Sequence, residues 1–126
     1  MLRKFRRFHR LSVILAACPL LIVLSATSGL SSPPEKLDVK YVYQTQKLLV
    51  EITHNSMFKG SHYIKYVEIK KNGSIVSLNT YTSQPTGDTF AYVYSIPAED
   101  DDVFEVTATC SRGDSKTAAP LTVRTR

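Results

Sequence analysis

An alternation of apolar and polar residues constrains this chain more than any other feature. Leu48, Val50 and Ile52 fall on one face of an extended segment, with Leu49, Glu51 and Thr53 on the other. Phe104, Val106, Ala108 and Cys110 repeat the pattern, and Phe90, Tyr92 and Tyr94 alternate with Ala91, Val93 and Ser95. A period of two is the signature of strands with one buried face. No helical period of useful length follows residue 34, and tyrosine, valine, isoleucine and threonine dominate there, as they do in sheets.

The breaks between these runs have turn chemistry. Asn72-Gly73 is the strongest hairpin signal, because a type I′ turn needs positive φ at two successive residues. Gln44-Thr45-Gln46, Pro85-Thr86-Gly87-Asp88, Pro97-Ala98-Glu99-Asp100 and Ser111-Arg112-Gly113-Asp114-Ser115 separate the other runs. Seven strands are predicted, over residues 36–43, 47–54, 62–71, 74–81, 89–96, 103–110 and 116–124. That spacing predicts an all-β fold, an immunoglobulin-like sandwich of two sheets over residues 35–126.

The first residues read as an address. Arg3, Lys4, Arg6, Arg7 and Arg10 precede an uncharged apolar run, Leu11–Leu24, and then the small residues Ser25-Ala26-Thr27-Ser28. This order predicts a secretory signal peptide over residues 1–28, followed by a linker over 29–34 and a periplasmic or extracellular domain. Extended to Leu30, the run reaches about 20 residues, so an uncleaved membrane anchor is the alternative. Leu15-Ala16-Ala17-Cys18 has the form of a lipoprotein signal, and Arg6-Arg7 that of a twin-arginine signal. Neither sits well: six apolar residues or proline follow Cys18, and His9 stands where the second pattern needs an apolar residue.

Charge follows the same division. The net charge of +5 resides in the leader, since residues 29–126 carry eleven basic and eleven acidic groups. A neutral domain lacks the cationic surface that nucleic acid requires. Removal of the leader leaves one cysteine, Cys110, which cannot form an intramolecular disulfide.

Cys110 and His54 end strands on core-facing positions, and His62 begins the next strand across the loop 55–61. A thiolate and two imidazoles at one rim would bind a transition metal. The plainer reading makes Cys110 a small buried hydrophobe and the histidines loop polar groups. Glu99-Asp100-Asp101-Asp102 lacks the alternating spacing of a calcium loop and reads as a solvated turn. Arg112-Gly113-Asp114 matches an adhesion tripeptide but has the composition of a tight turn. No nucleophile elbow or glycine-rich phosphate loop is present.

The stretch His54-Asn55-Ser56, then His62-Tyr63-Ile64 and the apolar-Glu-apolar run Val67-Glu68-Ile69, resembles the ferrous-iron domain of the desulfoferrodoxin and superoxide-reductase family. Glu35-Lys36 and Cys110 extend the resemblance to most of residues 35–117. It implies an immunoglobulin-like sandwich and an iron site in which His54 and His62 are equatorial ligands and Cys110 is axial. It also implies one-electron reduction of superoxide and a redox protein partner. That family uses four histidines; Leu37 and Gly113 stand at the other two positions, and the loop between His54 and His62 is two residues longer than usual.

A second resemblance competes. His54, His62-Tyr63-Ile64, the Asn72-Gly73 hairpin and Gly113-Asp114-Ser115-Lys116-Thr117 are similar to the small subunit of the sulfur-carrier complex of thiosulfate oxidation. This one implies a non-catalytic partner of a carrier protein, with the histidines structural and Cys110 in the core. An exposed sheet edge also offers a route to a homodimer.

Overall fold

The computed structural model describes residues 32–125. The expected signal segment 1–28, the anchor alternative and Cys18 lie outside the described residues. The described part is two antiparallel sheets facing one another, as the alternation predicts.

One sheet contains β1 (Lys36–Val42), β2 (Lys47–Thr53) and β5 (Thr89–Ser95), in the order β1-β2-β5. The other contains β3 (Ile64–Lys71), β4 (Ser74–Thr80), β6 (Val103–Cys110) and β7 (Ser115–Thr117), in the order β4-β3-β6-β7, with β8 (Leu121–Thr122) also paired to β6. The connections β2–β3, β4–β5 and β5–β6 carry the chain between sheets, as in an immunoglobulin-like sandwich. Leu48, Val50 and Ile52 are fully buried against Phe104, Val106 and Ala108, so the two clearest alternations in the sequence are the two halves of the core.

Two details depart from strict alternation, each for a local reason. The last predicted strand is two short ones, interrupted around Pro120, whose nitrogen has no hydrogen to give the ladder. In β3 the buried residues are Ile64, Val67 and Ile69, an odd step followed by an even one. A register shift between Ile64 and Tyr66 absorbs the extra residue, as a bulge does. β3 begins at Ile64, so His62 belongs to the loop before it rather than to the strand predicted over 62–71. Asn72 and Gly73 have φ of 52° and 83°, the pair of left-handed residues expected of the hairpin.

The segment ahead of β1 is packed on the domain rather than hanging from it. Pro34 is buried, the Glu35 N–H donates to the Thr53 carbonyl, and Lys116 reaches the Glu35 carbonyl. These contacts hold Ser32 and Pro33 over the end of the sandwich where β2 stops and β6 ends.

Candidate metal centre

His54 follows β2 directly and keeps the inward direction of Ile52, so its ring enters the core instead of solvent. Its N–H donates to the Asp88 carbonyl, which ties it to the start of β5. Cys110 closes β6 opposite Ile64 and is equally buried. The next residue fixes its surroundings. The Ser111 N–H donates to the Tyr63 carbonyl, its hydroxyl donates to the Ser61 carbonyl, and the same oxygen accepts from the Tyr63 N–H. Ser111 therefore clamps the residues on both sides of His62 against the end of β6.

The loop 54–63 closes on itself as well. The Phe58 carbonyl accepts from the N–H groups of Ser61 and His62, and the Ser56 hydroxyl donates to the His62 carbonyl. Lys59 reaches both the Ser56 carbonyl and Asp88, and its ammonium holds the Asp88 carboxyl below the usual carboxylate range. His62 is consequently placed by its backbone, without help from a strand.

These elements converge on one point. His54, His62 and Cys110 each present a ligand atom, and the three atoms lie within 4.8 Å of one another. The two rings meet edge to face with centroids 4.6 Å apart. Around a bound ion with bonds of about 2.0–2.3 Å the same atoms would be roughly 3.3–3.8 Å apart, so side-chain adjustments of about 1 Å suffice. Among the described residues this is the one cluster of three histidine, cysteine or carboxylate groups with that convergence.

The hydrogen bonds around the rings decide which lone pairs are available. Gln84 is buried; its amide nitrogen donates to the His54 carbonyl, which turns its oxygen toward His54 Nδ1 at 2.7 Å. Nδ1 must then carry the hydrogen, and the neutral ring has its lone pair on Nε2. That atom faces the Ser32 carbonyl at 3.2 Å, a long contact between two acceptors in this tautomer. His62 Nε2 is buried and has no hydrogen-bond partner, and such an atom is uncommon in a native interior. Burial first, then the neighbouring His54 and the positive Arg112, push the His62 pKa below its ordinary value against an opposing contact with the Ser32 backbone, and so disfavour the imidazolium. On the sulfur, the Arg112 N–H is directed at Cys110 Sγ at 3.5 Å.

Nitrogen, nitrogen and sulfur lone pairs in a buried triad suit a first-row transition metal. They do not suit the five-ligand iron centre that the first resemblance implies. Leu37 is a core residue paired with Ile52, and Gly113 has φ of 103° in the turn that returns the Asp114 carbonyl to the Cys110 N–H. Neither position offers a donor.

The remaining sequence candidates do not assemble a site. Asp100 accepts from the Thr125 N–H, Asp101 pairs with Arg124, and Asp102 accepts from the Glu99 N–H, so the acidic run divides among three separate contacts. Arg112-Gly113-Asp114 forms the β6–β7 turn. Glu68 lies beside Lys70 on the outer face of β3, away from the triad's face. Sequence reasoning missed Gln84, for which no spacing rule exists: it acts across 30 positions, through the ring of His54. Its one signal is a place just before Pro85 in the loop that faces the His54 end of β2.

Beside the triad lies an open cleft of about 470 Å³. His62 lines it together with Ser32, Asn55, Met57, Phe58 and Arg112. Met57 is 88% exposed and Phe58 67%. Compared with known proteins, the sequence matches no family model and no curated protein.

Proposed function

We propose that this is an exported metal-binding domain of the desulfoferrodoxin type, reduced to three protein ligands. His54 Nε2, His62 Nε2 and Cys110 Sγ hold the ion. The observation that carries this reading is the buried, unpartnered Nε2 of His62 beside a buried sulfur and a second imidazole. A desolvated lone pair costs free energy unless something occupies it. Gln84 supports the reading, since ligating histidines commonly donate their other N–H to a fixed acceptor. Iron is the ion the resemblance implies, and here it would sit on three protein donors instead of five. Superoxide reduction belongs to the five-ligand centre, which Leu37 and Gly113 cannot complete, so the proposal is for metal holding.

One observation favours the second reading, a non-catalytic carrier-partner domain. Gln84 and the Ser32 carbonyl enclose the His54 ring from both sides, so its position does not require an ion. Purification of the full chain under anaerobic conditions, followed by elemental analysis, separates the two. One ion per chain, lost in Cys110→Ser and in His62→Gln, supports the metal centre. A metal-free chain that takes up no added iron, zinc or copper, and whose variants differ only in stability, overturns it in favour of the structural role.

A further inference from the structure

We propose that the ion this centre selects is copper(I), and that the Met57 thioether completes its coordination from the cleft. The inference rests on the metal-binding reading above and concerns which ion the site takes.

Ligand number argues first. With Leu37 and Gly113 in place of donors, three protein ligands remain, too few for an ion that prefers five or six. Thiolate and thioether donors favour copper(I), a soft monovalent ion that accepts low coordination numbers.

Position argues second. Met57 is on the loop between the two histidine ligands and lines the same cleft as His62. The loop backbone on either side is fixed, by the Ser56 hydroxyl on the His62 carbonyl and by the Phe58 carbonyl on two N–H groups. A side chain that is 88% exposed does no packing in this state. It is also unbranched and flexible, so it can turn inward at little cost. The sulfur of Cys110 is buried and receives the Arg112 N–H, an arrangement that tunes a copper–thiolate bond.

The test uses the full-length, metal-free chain without oxygen. It is titrated separately with iron(II), with zinc(II), and with copper(I) delivered from a coloured chelator. One equivalent of copper(I) is expected to leave the chelator for the protein and to displace previously bound zinc or iron. Met57→Leu, a surface change that leaves the fold intact, should weaken copper(I) by at least the ~10-fold typical of losing even an outer-shell partner. The same variant should leave zinc(II) affinity unchanged. Retention of zinc or iron against equimolar copper(I) overturns the copper assignment and leaves the metal site standing. Equal copper(I) affinity in Met57→Leu and the parent overturns the role of Met57. Failure to bind any of the three ions overturns the metal-binding reading itself and this inference with it.

Discussion

Both ends of the sandwich are closed by polar residues, and the two sets behave differently. At the end formed by the β1–β2, β3–β4 and β5–β6 connections, the side chains of Gln46, Asn72 and Lys71 each complete a turn. Gln46 donates to the Tyr43 carbonyl and accepts from the Ala98 N–H at 2.7 Å. Asn72 donates to Asp102 and accepts from the Val103 N–H. Lys71 donates to the Pro97 carbonyl. Among the described residues at this end, no buried side-chain nitrogen or oxygen lacks a partner. At the other end Ser56, Ser111 and Gln84 are used just as fully, but the first two hold His62, whose buried Nε2 has no partner, and Gln84 holds the neighbouring His54. Polar residues that satisfy one another hold a fold together. Polar residues that keep a further atom unsatisfied prepare a site.

If that contrast is sound, metal should act on one end only, and its effect should be the largest available. An ion at 1,000 times its Kd stabilises the folded state by about 4 kcal/mol. For a domain of this size that corresponds to a rise in Tm on the order of 15–30 °C. Thermal unfolding of the chain with and without copper(I) measures it, and His62→Gln should abolish the difference. A rise that persists in His62→Gln would place the ion elsewhere.

Gln84→Leu comes next and links the two kinds of polar residue. It strands the His54 carbonyl and Nδ1 in a buried place, at a cost of about 1–3 kcal/mol. It also frees His54 to change tautomer, which should lower metal affinity by about 10–100-fold. Denaturant unfolding of the metal-free chain reads the first effect and competition titration the second. A loss of stability with unchanged affinity would reduce Gln84 to a structural residue.

At the opposite end, Asn72→Ala removes the side-chain amide hydrogen bonds that support a residue at φ of 52°. It also removes the acceptor for the Val103 N–H. The expected cost is about 1–2 kcal/mol. Here the informative result is equality: the loss should be the same in the metal-free and metal-loaded chains, and metal affinity should not move. Coupling between this change and the metal would mean that the two ends are not independent.

How visible these two ends are from sequence differs for the same physical reason. Asn72-Gly73 announces its hairpin because its demand, two positive φ values, is local. The inward direction of His54 and Cys110 is also legible, since period two runs unbroken along β2 and β6. His62 is harder. Counting forward puts it in a strand, whereas the bulge between Ile64 and Tyr66 and the Ser111 clamp place it in a loop. Gln84 is invisible, because its partner is distant in sequence and its role depends on which way an amide is turned. The final strand shows the converse: its composition reads as one strand of nine residues, and the one missing N–H of Pro120 divides it. Periodicity reveals faces, and it carries no information on contacts made by loop side chains.

The smallest effect is on pH dependence, and it distinguishes the ends by order. His62 has a folded pKa below its ordinary 6.5, chiefly because burial disfavours the imidazolium. The unfolded chain therefore takes a proton before the folded one does. Stability from this ring is complete above pH 6.5, declines as pH falls from there toward the lower folded value, and then levels off. Asp102 behaves in the other sense. The Glu99 N–H, then Asn72 and Lys71, hold its carboxyl below 3.8, so its contribution is present above that pH and is lost only as pH falls through the lower folded value. Acidification of the metal-free chain should thus loosen the metal end first and the turn end afterwards. His62→Gln should flatten the stability curve just below pH 6.5 and leave the steeper acid limb, while Asp102→Asn should do the reverse. Bound metal should delay the first step, since the ion and the proton compete for the same Nε2 lone pair. A first step unchanged by metal would mean that the ring which titrates is not the ring which ligates.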